Sequence, residues 1–247
     1  AYGKPNEALT ELNKAHEIFD QEDDKHSLAL VLSRLGSAYA DIGNFAEAQR
    51  FHGDSAKLAL SLSENSLVLE NQFELAYDYY LEGAIDKALK RFLEINSKLS
   101  GQTLEDKELP GETLNSIAMC YRELGQYSAA SEYYEQAFRK FSSHGNQLKS
   151  LAVMNSLACL YLDSGKLDLY QKKFAELENA MKDLGKEQKD SLEFKRLAGY
   201  VYFNHAQFLN RFEDSYSKAL DEFKIALQDF EDVSDRKGQI RALNGLG

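Results

Sequence analysis

The chain has 247 residues, of which 43% are hydrophobic, and 40 acidic side chains against 29 basic ones give a formal net charge of −11. Because such a protein repels a phosphate backbone on average, we do not expect a nucleic-acid partner. The two cysteines lack metal-ligand spacing, and no apolar run has the length of a membrane span. We therefore expect a cytoplasmic (intracellular) protein without membrane association.

A regular series of glycines divides the chain into repeats. Gly3, Gly43, Gly83, Gly125 and Gly165 follow one another at distances of 40, 40, 42 and 40 residues. A tyrosine stands four residues before each of the last four glycines, and a small residue stands three residues before each tyrosine. Self-similarity at such a period indicates a solenoid. The sequence therefore predicts an all-α fold, an α-solenoid of antiparallel helix pairs.

Each copy predicts two helices, A and B, joined by a turn at the glycine. Glycine reaches the left-handed backbone conformation at a helix end at little cost. The predicted order is one solenoid segment, 1–247, with a partial copy at each end; in chain order the copies are 1–25, 26–64, 65–107, 108–145, 146–186, 187–233 and 234–247. Since end repeats of a free-standing array need a polar cap, we expect this segment to come from a longer chain.

The copy at 187–233 departs from the common spacing. Its small residue, assigned to Ala198, precedes Ala219 on helix B by 21 residues, where 12 is the rule, so nine residues are inserted. Val201 stands at the position expected for the tyrosine. We predict either a longer helix A or an added turn in this copy.

The order of small residue, tyrosine, glycine and alanine resembles the tetratricopeptide repeat. The closest stretch, at 33–48, reads SRLGSAYADIGNFAEA, and similar stretches occur at 74–88, 116–130 and 156–170. The usual repeat has about 34 residues, and the longer copies resemble those of kinesin light chains and spindle-orientation adaptors. The resemblance implies a right-handed superhelix whose A helices line a concave groove for a peptide or helix of a partner. It also implies a scaffold or adaptor for protein binding and not an enzyme.

Candidate groove residues follow from the phase of the A helices. Positions three before, one after and four after the small residue share one helix face. On or beside it we place the partner-binding candidates Arg34, Phe73, Tyr77, Tyr80, Asn115, Arg122, Asn155, Lys195, Arg196, Tyr202, Arg241 and Asn244. Asn115 and Asn155 are the best suited, since an amide both donates to and accepts from a peptide backbone. Four basic members gather toward the C-terminal half, which favours an acidic partner segment: Arg122, Lys195, Arg196 and Arg241.

The sequence carries no recognisable motif for catalysis, metal binding or cofactor binding. The five histidines are scattered, and neither a Gly-rich phosphate loop nor a nucleophile motif occurs. We expect no enzymatic activity, cofactor, metal or small-molecule substrate. The leading function is a scaffold that binds a peptide or helical segment; the alternative is a regulatory array that controls an output domain of a larger signalling protein. A helical repeat that reads RNA is disfavoured by the net charge.

Overall fold

The computed structural model of the chain describes residues 5–100, 108–212 and 215–247, and within these ranges all regular structure is helical. The helices are α1 (Pro5–Gln21), α2 (Lys25–Asp41), α3 (Phe45–Ser61), α4 (Asn65–Leu81), α5 (Ile85–Leu99), α6 (Leu109–Glu123), α7 (Tyr127–Ser143), α8 (Gln147–Asp163), α9 (Leu167–Lys182), α10 (Lys186–Lys189), α11 (Leu192–Phe212), α12 (Tyr216–Asp232) and α13 (Arg236–Leu246). The predicted all-α solenoid is confirmed.

The chain forms two compact units, which we describe separately: unit 1, Ala1–Lys140, and unit 2, Phe141–Gly247. We call α2, α4, α6, α8, α11 and α13 the A helices, and α1, α3, α5, α7, α9 and α12 the B helices. In unit 1 each helix from α1 to α6 packs on the next, and α4 also contacts α2 and α6. In unit 2, α11 packs on α8, α12 and α13. Both units therefore place A helices beside one another.

The turns between helices A and B form as the sequence predicts. Gly43 has φ of +78°, and Gly83, Gly125 and Gly165 are also left-handed. At the first of these turns the Gly43 N–H donates to the Ala40 carbonyl at 2.9 Å, and the Asn44 N–H donates to the Tyr39 carbonyl at 2.9 Å. These bonds satisfy carbonyls that the helix end leaves open. Gly3 lies outside the described residues.

Small residues let paired helices approach closely. In unit 1 the buried imidazole of His52 on α3 lies against the backbone of α2, so a Cβ on Gly36 would stand only 2.4 Å from a ring carbon. Tyr39, one turn away, stacks on Phe51 with ring centroids 5.3 Å apart. The repeated small residue and tyrosine thus have the packing roles expected of them.

The fifth copy requires a correction. Its extra residues form both the short helix α10 and a lengthened α11 of 21 residues, where α2, α4 and α8 each have 17. Ala206 shares a core cluster with Ala219 of α12, whereas Ala198 packs in another cluster with Leu177 and Met181 of α9. The assignment of Ala198 as the small residue against helix B is therefore wrong. The spacing alone could not tell where in this copy the extra residues lie.

Candidate functional site

In unit 1 the A helices α2, α4 and α6 enclose a cavity of about 220 Å³, which we call the acidic pocket. Its lining consists of apolar, hydroxyl and charged side chains: Leu30, Leu67, Phe73, Leu109, Ser33, Ser37, Arg34, Glu70, Glu74 and Glu112. On α2 the lining residues recur at spacings of three and four, so they form one stripe of that helix. The stripe includes Arg34, and the stripe on α4 includes Phe73. Two predicted site residues are thus brought together.

Glu74 is a desolvated carboxylate of the acidic pocket. Burial raises its pKa above the ordinary value, and the nearby charges of Asp78 and Glu112 raise it further, while His52 and Arg34 act in the opposite direction. Its carboxylate accepts no hydrogen bond from the part of the chain that the structure describes. The ionised form of Glu74 is therefore disfavoured, and a cation in the pocket would stabilise it.

The three aromatic candidates on α4 form a continuous stack. Phe73 lies 6.4 Å from Tyr77, and Tyr77 lies 5.9 Å from Tyr80, measured between ring centroids. Phe73 also contacts the buried ring of Phe92 on α5, and all three candidates are half-buried against the core of unit 1. Burial raises the pKa of both tyrosines. Phe73 is the member of the stack that reaches the acidic pocket.

The two candidates on α6 lie close to other side chains of unit 1. The Asn115 Nδ2 is 3.5 Å from the Met119 sulfur, and its Oδ1 is buried without a hydrogen-bond partner among the described residues. Arg122 is near enough to the Tyr80 hydroxyl to oppose the rise in the pKa of that phenol. Their part in binding stays a prediction.

In unit 2 the A helices α8, α11 and α13 meet through polar side chains. The Asn204 Nδ2 on α11 donates to the Asn155 Oδ1 on α8 at 3.4 Å. The Tyr200 hydroxyl donates to Asp235, which caps α13, at 3.0 Å. Burial raises the pKa of Tyr200 to about 12, against the opposing charges of Arg241 and Arg196.

We call the set Asn155, Arg196, Tyr200, Asn204 and Arg241 the amide surface. Sequence reasoning selected three of these residues and missed Tyr200 and Asn204. The signal was present, since Arg196, Tyr200 and Asn204 follow at intervals of four on one stripe of α11. The rule of three before, one after and four after the small residue does not select this stripe, whether it is counted from Ala198 or from Ala206. Asn244, another candidate, is exposed on α13 three residues after Arg241.

The remaining candidates on α11, Lys195 and Tyr202, lie near carboxylates of B helices. The Lys195 Nζ is 2.5 Å from an Asp232 carboxylate oxygen on α12, and this hydrogen bond raises the pKa of Lys195. Tyr202 is half-buried, and burial raises its pKa, with a further contribution from carboxylates on α9 and α12. The positive charge of Lys195 is therefore already balanced within unit 2, and a role of either residue in binding stays a prediction.

Two buried histidine–carboxylate pairs escaped the sequence reasoning. The His52 Nδ1 lies 2.7 Å from an Asp78 oxygen, and the His205 Nδ1 lies 2.6 Å from a Glu222 oxygen. Phe174 stacks on His205 with ring centroids 3.6 Å apart. Each pair joins different helices, so the search for histidines at spacings within one helix could not find it. Both pairs are packed into the cores, which indicates a structural role.

Within the described ranges no group of three or more histidine, cysteine or carboxylate side chains is arranged to hold a metal ion. In the same ranges no helix combines the length and the apolar character needed to cross a bilayer.

Comparison with known proteins gives matches to one repeat family and to several solved structures. The family model of the tetratricopeptide repeat matches residues 111–139. BtubC (BKLC) from P. vanneervenii is 18% identical, with 94% of this chain and 93% of that chain covered and a TM-score of 0.70. Kinesin-light-chain TPR-like repeats from Podosopora anserina are 20% identical, with coverage of 72% and 87% and a TM-score of 0.60.

A third similar structure is the Rap conjugation gene regulator of the plasmid pLS20 in complex with the Phr* peptide. It is 12% identical and has a TM-score of 0.73; the alignment covers 90% of this chain and 58% of that one. At such low identities these similarities establish the fold alone. Comparison with curated protein sequences gives no match.

Proposed function

Because the chain is a repeat protein of the tetratricopeptide type, we propose that it binds an extended peptide segment of a partner protein along its A helices. In this proposal the amide surface of unit 2 holds the backbone of the peptide. The protein acts as an interaction scaffold inside the cell and not as a catalyst. Its net charge of −11 favours a protein partner over a nucleic acid.

The observation that carries the proposal is the contact between Asn155 and Asn204. Their mutual hydrogen bond uses one amide donor group and one carbonyl acceptor. The Asn155 NH₂ group and the Asn204 carbonyl oxygen have no other partner among the described residues. A donor and an acceptor therefore stand side by side on neighbouring A helices. This arrangement matches the C=O and N–H groups of an extended peptide backbone.

The charges beside the amides favour an acidic group on the peptide. Arg196 and Arg241 both oppose the rise in the pKa of Tyr200, whose hydroxyl donates to Asp235, so two cationic side chains act on the region between α11 and α13. A carboxylate placed there would form charge-assisted hydrogen bonds, which are stronger than neutral ones. The similar Rap regulator was solved in complex with a peptide, which supports a peptide, of whatever charge, as the ligand proposed here.

The test begins with selection of peptides from a phage-displayed random library on the purified chain. One selected peptide is synthesised, and its affinity for the wild type is compared with that for Asn155→Ala and Asn204→Ala. Each substitution removes hydrogen bonds to the backbone and should weaken binding by ~1 to 3 kcal/mol. Both variants should keep the melting temperature of the wild type, since both side chains are partly exposed.

The matched control is Asn179→Ala, which removes an exposed amide from the B helix α9 of the same unit. We expect this control to bind like the wild type. Equal affinity of the wild type and both A-helix variants would refute the role of the amide surface, and failure to select any peptide would refute the proposed function.

A further inference from the structure

We propose that the hydrogen bond between Tyr200 and Asp235 positions α13 beside α11, so that Arg241 pairs with an acidic group of the bound peptide. Tyr200 and Asp235 are positioning residues in this arrangement, and Arg241 is the residue that contacts the acidic group. The inference rests on the proposed function, because it states how the amide surface selects among peptides. It concerns unit 2 alone.

Asp235 uses both oxygens of its carboxylate. The Oδ1 accepts a hydrogen bond from the Gly238 N–H at 2.9 Å and so caps the first turn of α13. The Oδ2 accepts a hydrogen bond from the Tyr200 hydroxyl on α11 at 3.0 Å. Because a helix cap needs only one side-chain oxygen, the second bond is an additional link between neighbouring A helices.

Among the residues that the structure describes, the equivalent cap in unit 1 has no such link. Asp24 precedes α2 as Asp235 precedes α13, and its Oδ1 accepts a hydrogen bond from the Ser27 N–H at 3.1 Å. Its carboxylate forms hydrogen bonds only with residues of α2. Capping an A helix therefore does not require a bond to the preceding A helix, and the Tyr200 bond is a separate feature of Asp235.

The Tyr200 side chain is fixed as a hydrogen-bond donor. Burial raises its pKa to about 12, and the charge of Asp235 adds to the rise, so the hydroxyl keeps its proton at neutral pH. Its ring meets the buried ring of Phe230 on α12 edge-on, with centroids 4.9 Å apart. Gly238 lies so close to the same phenyl ring that an added Cβ would collide with it. Tyr200 and Phe230 therefore hold the first turn of α13 together.

This arrangement places a cation beside the amides. Arg241 lies three residues after Gly238 on α13, and its charge opposes the rise in the pKa of Tyr200, so it acts on the phenol from the neighbouring helix. Arg241 is exposed and has no ion-pair partner among the described residues. Asn204 follows Tyr200 by four residues on the same stripe of α11. A peptide held by Asn204 would therefore present a carboxylate to Arg241, and such charge-assisted hydrogen bonds are stronger than neutral ones.

The experiment uses the full chain and a peptide selected on the wild type from the random library. The acidic residue of this peptide that contributes most to binding is replaced by its amide, Asp by Asn or Glu by Gln. The ratio of the two dissociation constants measures the acidic preference. For the wild type we expect a ratio of about ten, and Arg241→Gln should bring it to about one.

Two variants break the bridge and keep the local fold. Tyr200→Phe keeps the ring that packs on Phe230, and Asp235→Ser keeps an oxygen that caps α13. Each should lower the acidic preference about threefold or more. In the Arg241→Gln background Tyr200→Phe should not change the ratio further, because no guanidinium remains to be positioned.

The matched control is Asp24→Ser, which changes the cap of α2 in unit 1 in the same way. It should keep the acidic preference of the wild type. Selected peptides without an acidic residue, a wild-type ratio near one, or an unchanged ratio in both bridge variants would overturn the inference and leave the proposed function standing. Equal losses of affinity for both peptides in the bridge variants would also overturn it, since the bond would then have only a structural role. If no peptide is selected at all, the proposed function fails and the inference fails with it.

Discussion

The A helices of unit 1 and those of unit 2 carry different chemistry on stripes of the same helical spacing. In unit 1 three carboxylates surround a cavity with apolar walls, and Arg34 and Glu74 have no ion-pair partner among the described residues. In unit 2 asparagines and guanidinium groups lie along the stripe, while the Lys195 charge is already paired with helix B. A common frame of helix pairs thus fixes where side chains point. In the proposed function, the residues at the stripes decide what each unit binds.

The cores of the two units differ in a comparable way. Each contains a histidine–carboxylate pair, but His52 and Asp78 are almost completely buried, whereas the side chains of His205 and Glu222 keep 9% and 11% of their exposure. A carboxylate that loses its partner can regain water only where it lies near the surface. The loss of folding free energy on breaking a pair should therefore be larger for the more deeply buried pair.

The largest expected effect comes from breaking these pairs. His52→Ala should cost ~3 to 5 kcal/mol in the free energy of unfolding, because it leaves Asp78 buried without its partner. His205→Ala should cost less, ~2 to 3 kcal/mol, because Glu222 can be partly hydrated, although the stacking of Phe174 is lost. Urea unfolding of both variants measures the difference. A larger loss for His205→Ala would reverse the comparison.

The next effect concerns glycines under buried rings, one in each unit. A Cβ would lie 2.4 Å from His52 at Gly36 and 2.4 Å from Phe230 at Gly238. His52 is also fixed by its hydrogen bond to Asp78. Gly36→Ala should therefore cost ~2 to 3 kcal/mol, and Gly238→Ala ~1 to 2 kcal/mol, since the phenyl ring is held by packing alone.

The matched control for these two changes is Gly53→Ala on α3, where an added Cβ meets nothing within 4 Å. It should stabilise unit 1 by up to ~1 kcal/mol, because alanine is the better helix former. Thermal unfolding of the three variants supplies the comparison. If Gly36→Ala had the same melting temperature as the Gly53→Ala control, α2 and α3 could not approach each other as closely as described.

These packing details also indicate how far the sequence could predict the structure. The turns at Gly43 and its equivalents, the small residues and the stacked tyrosines were predictable because each depends on local spacing that recurs. The resemblance to the tetratricopeptide repeat, which rests on that spacing, is confirmed by the family match and the similar structures.

The parts that could not be predicted depend on contacts between distant positions. The search within single helices missed His52 and His205, whose carboxylate partners lie on other helices. The added residues of the fifth copy shifted the small position from Ala198 to Ala206. The acidic pocket, too, requires three A helices to meet, which no single copy of the repeat encodes.

The smallest expected effect is electrostatic and belongs to unit 2. Burial raises the pKa of Asp229 to about 6, and the charge of Asp232 adds to the rise. In the unfolded chain the pKa is near 3.9, so the folded state binds the proton more tightly. Stability should therefore increase as the pH falls from above 6 towards 4.

Asp229→Asn removes this dependence. It should stabilise the protein at pH 7 by ~1 kcal/mol, a value reduced from the full shift because Asp229 is partly exposed to solvent. The advantage should vanish near pH 4, where both proteins are uncharged at this position. Urea unfolding at pH 7, 5.5 and 4 measures it. A variant that is less stable than the wild type at pH 7 would contradict the assignment.

The central claim is that the A helices form the binding surface, and photo-crosslinking tests it most directly. A selected peptide that carries a photoreactive diazirine residue is irradiated with the full chain, and mass spectrometry identifies the attached residues. The account predicts attachment on the A-helix stripes, such as those of Phe73, Asn155 and Asn204. Attachment mainly on the B helices α3, α5, α9 and α12 would contradict it.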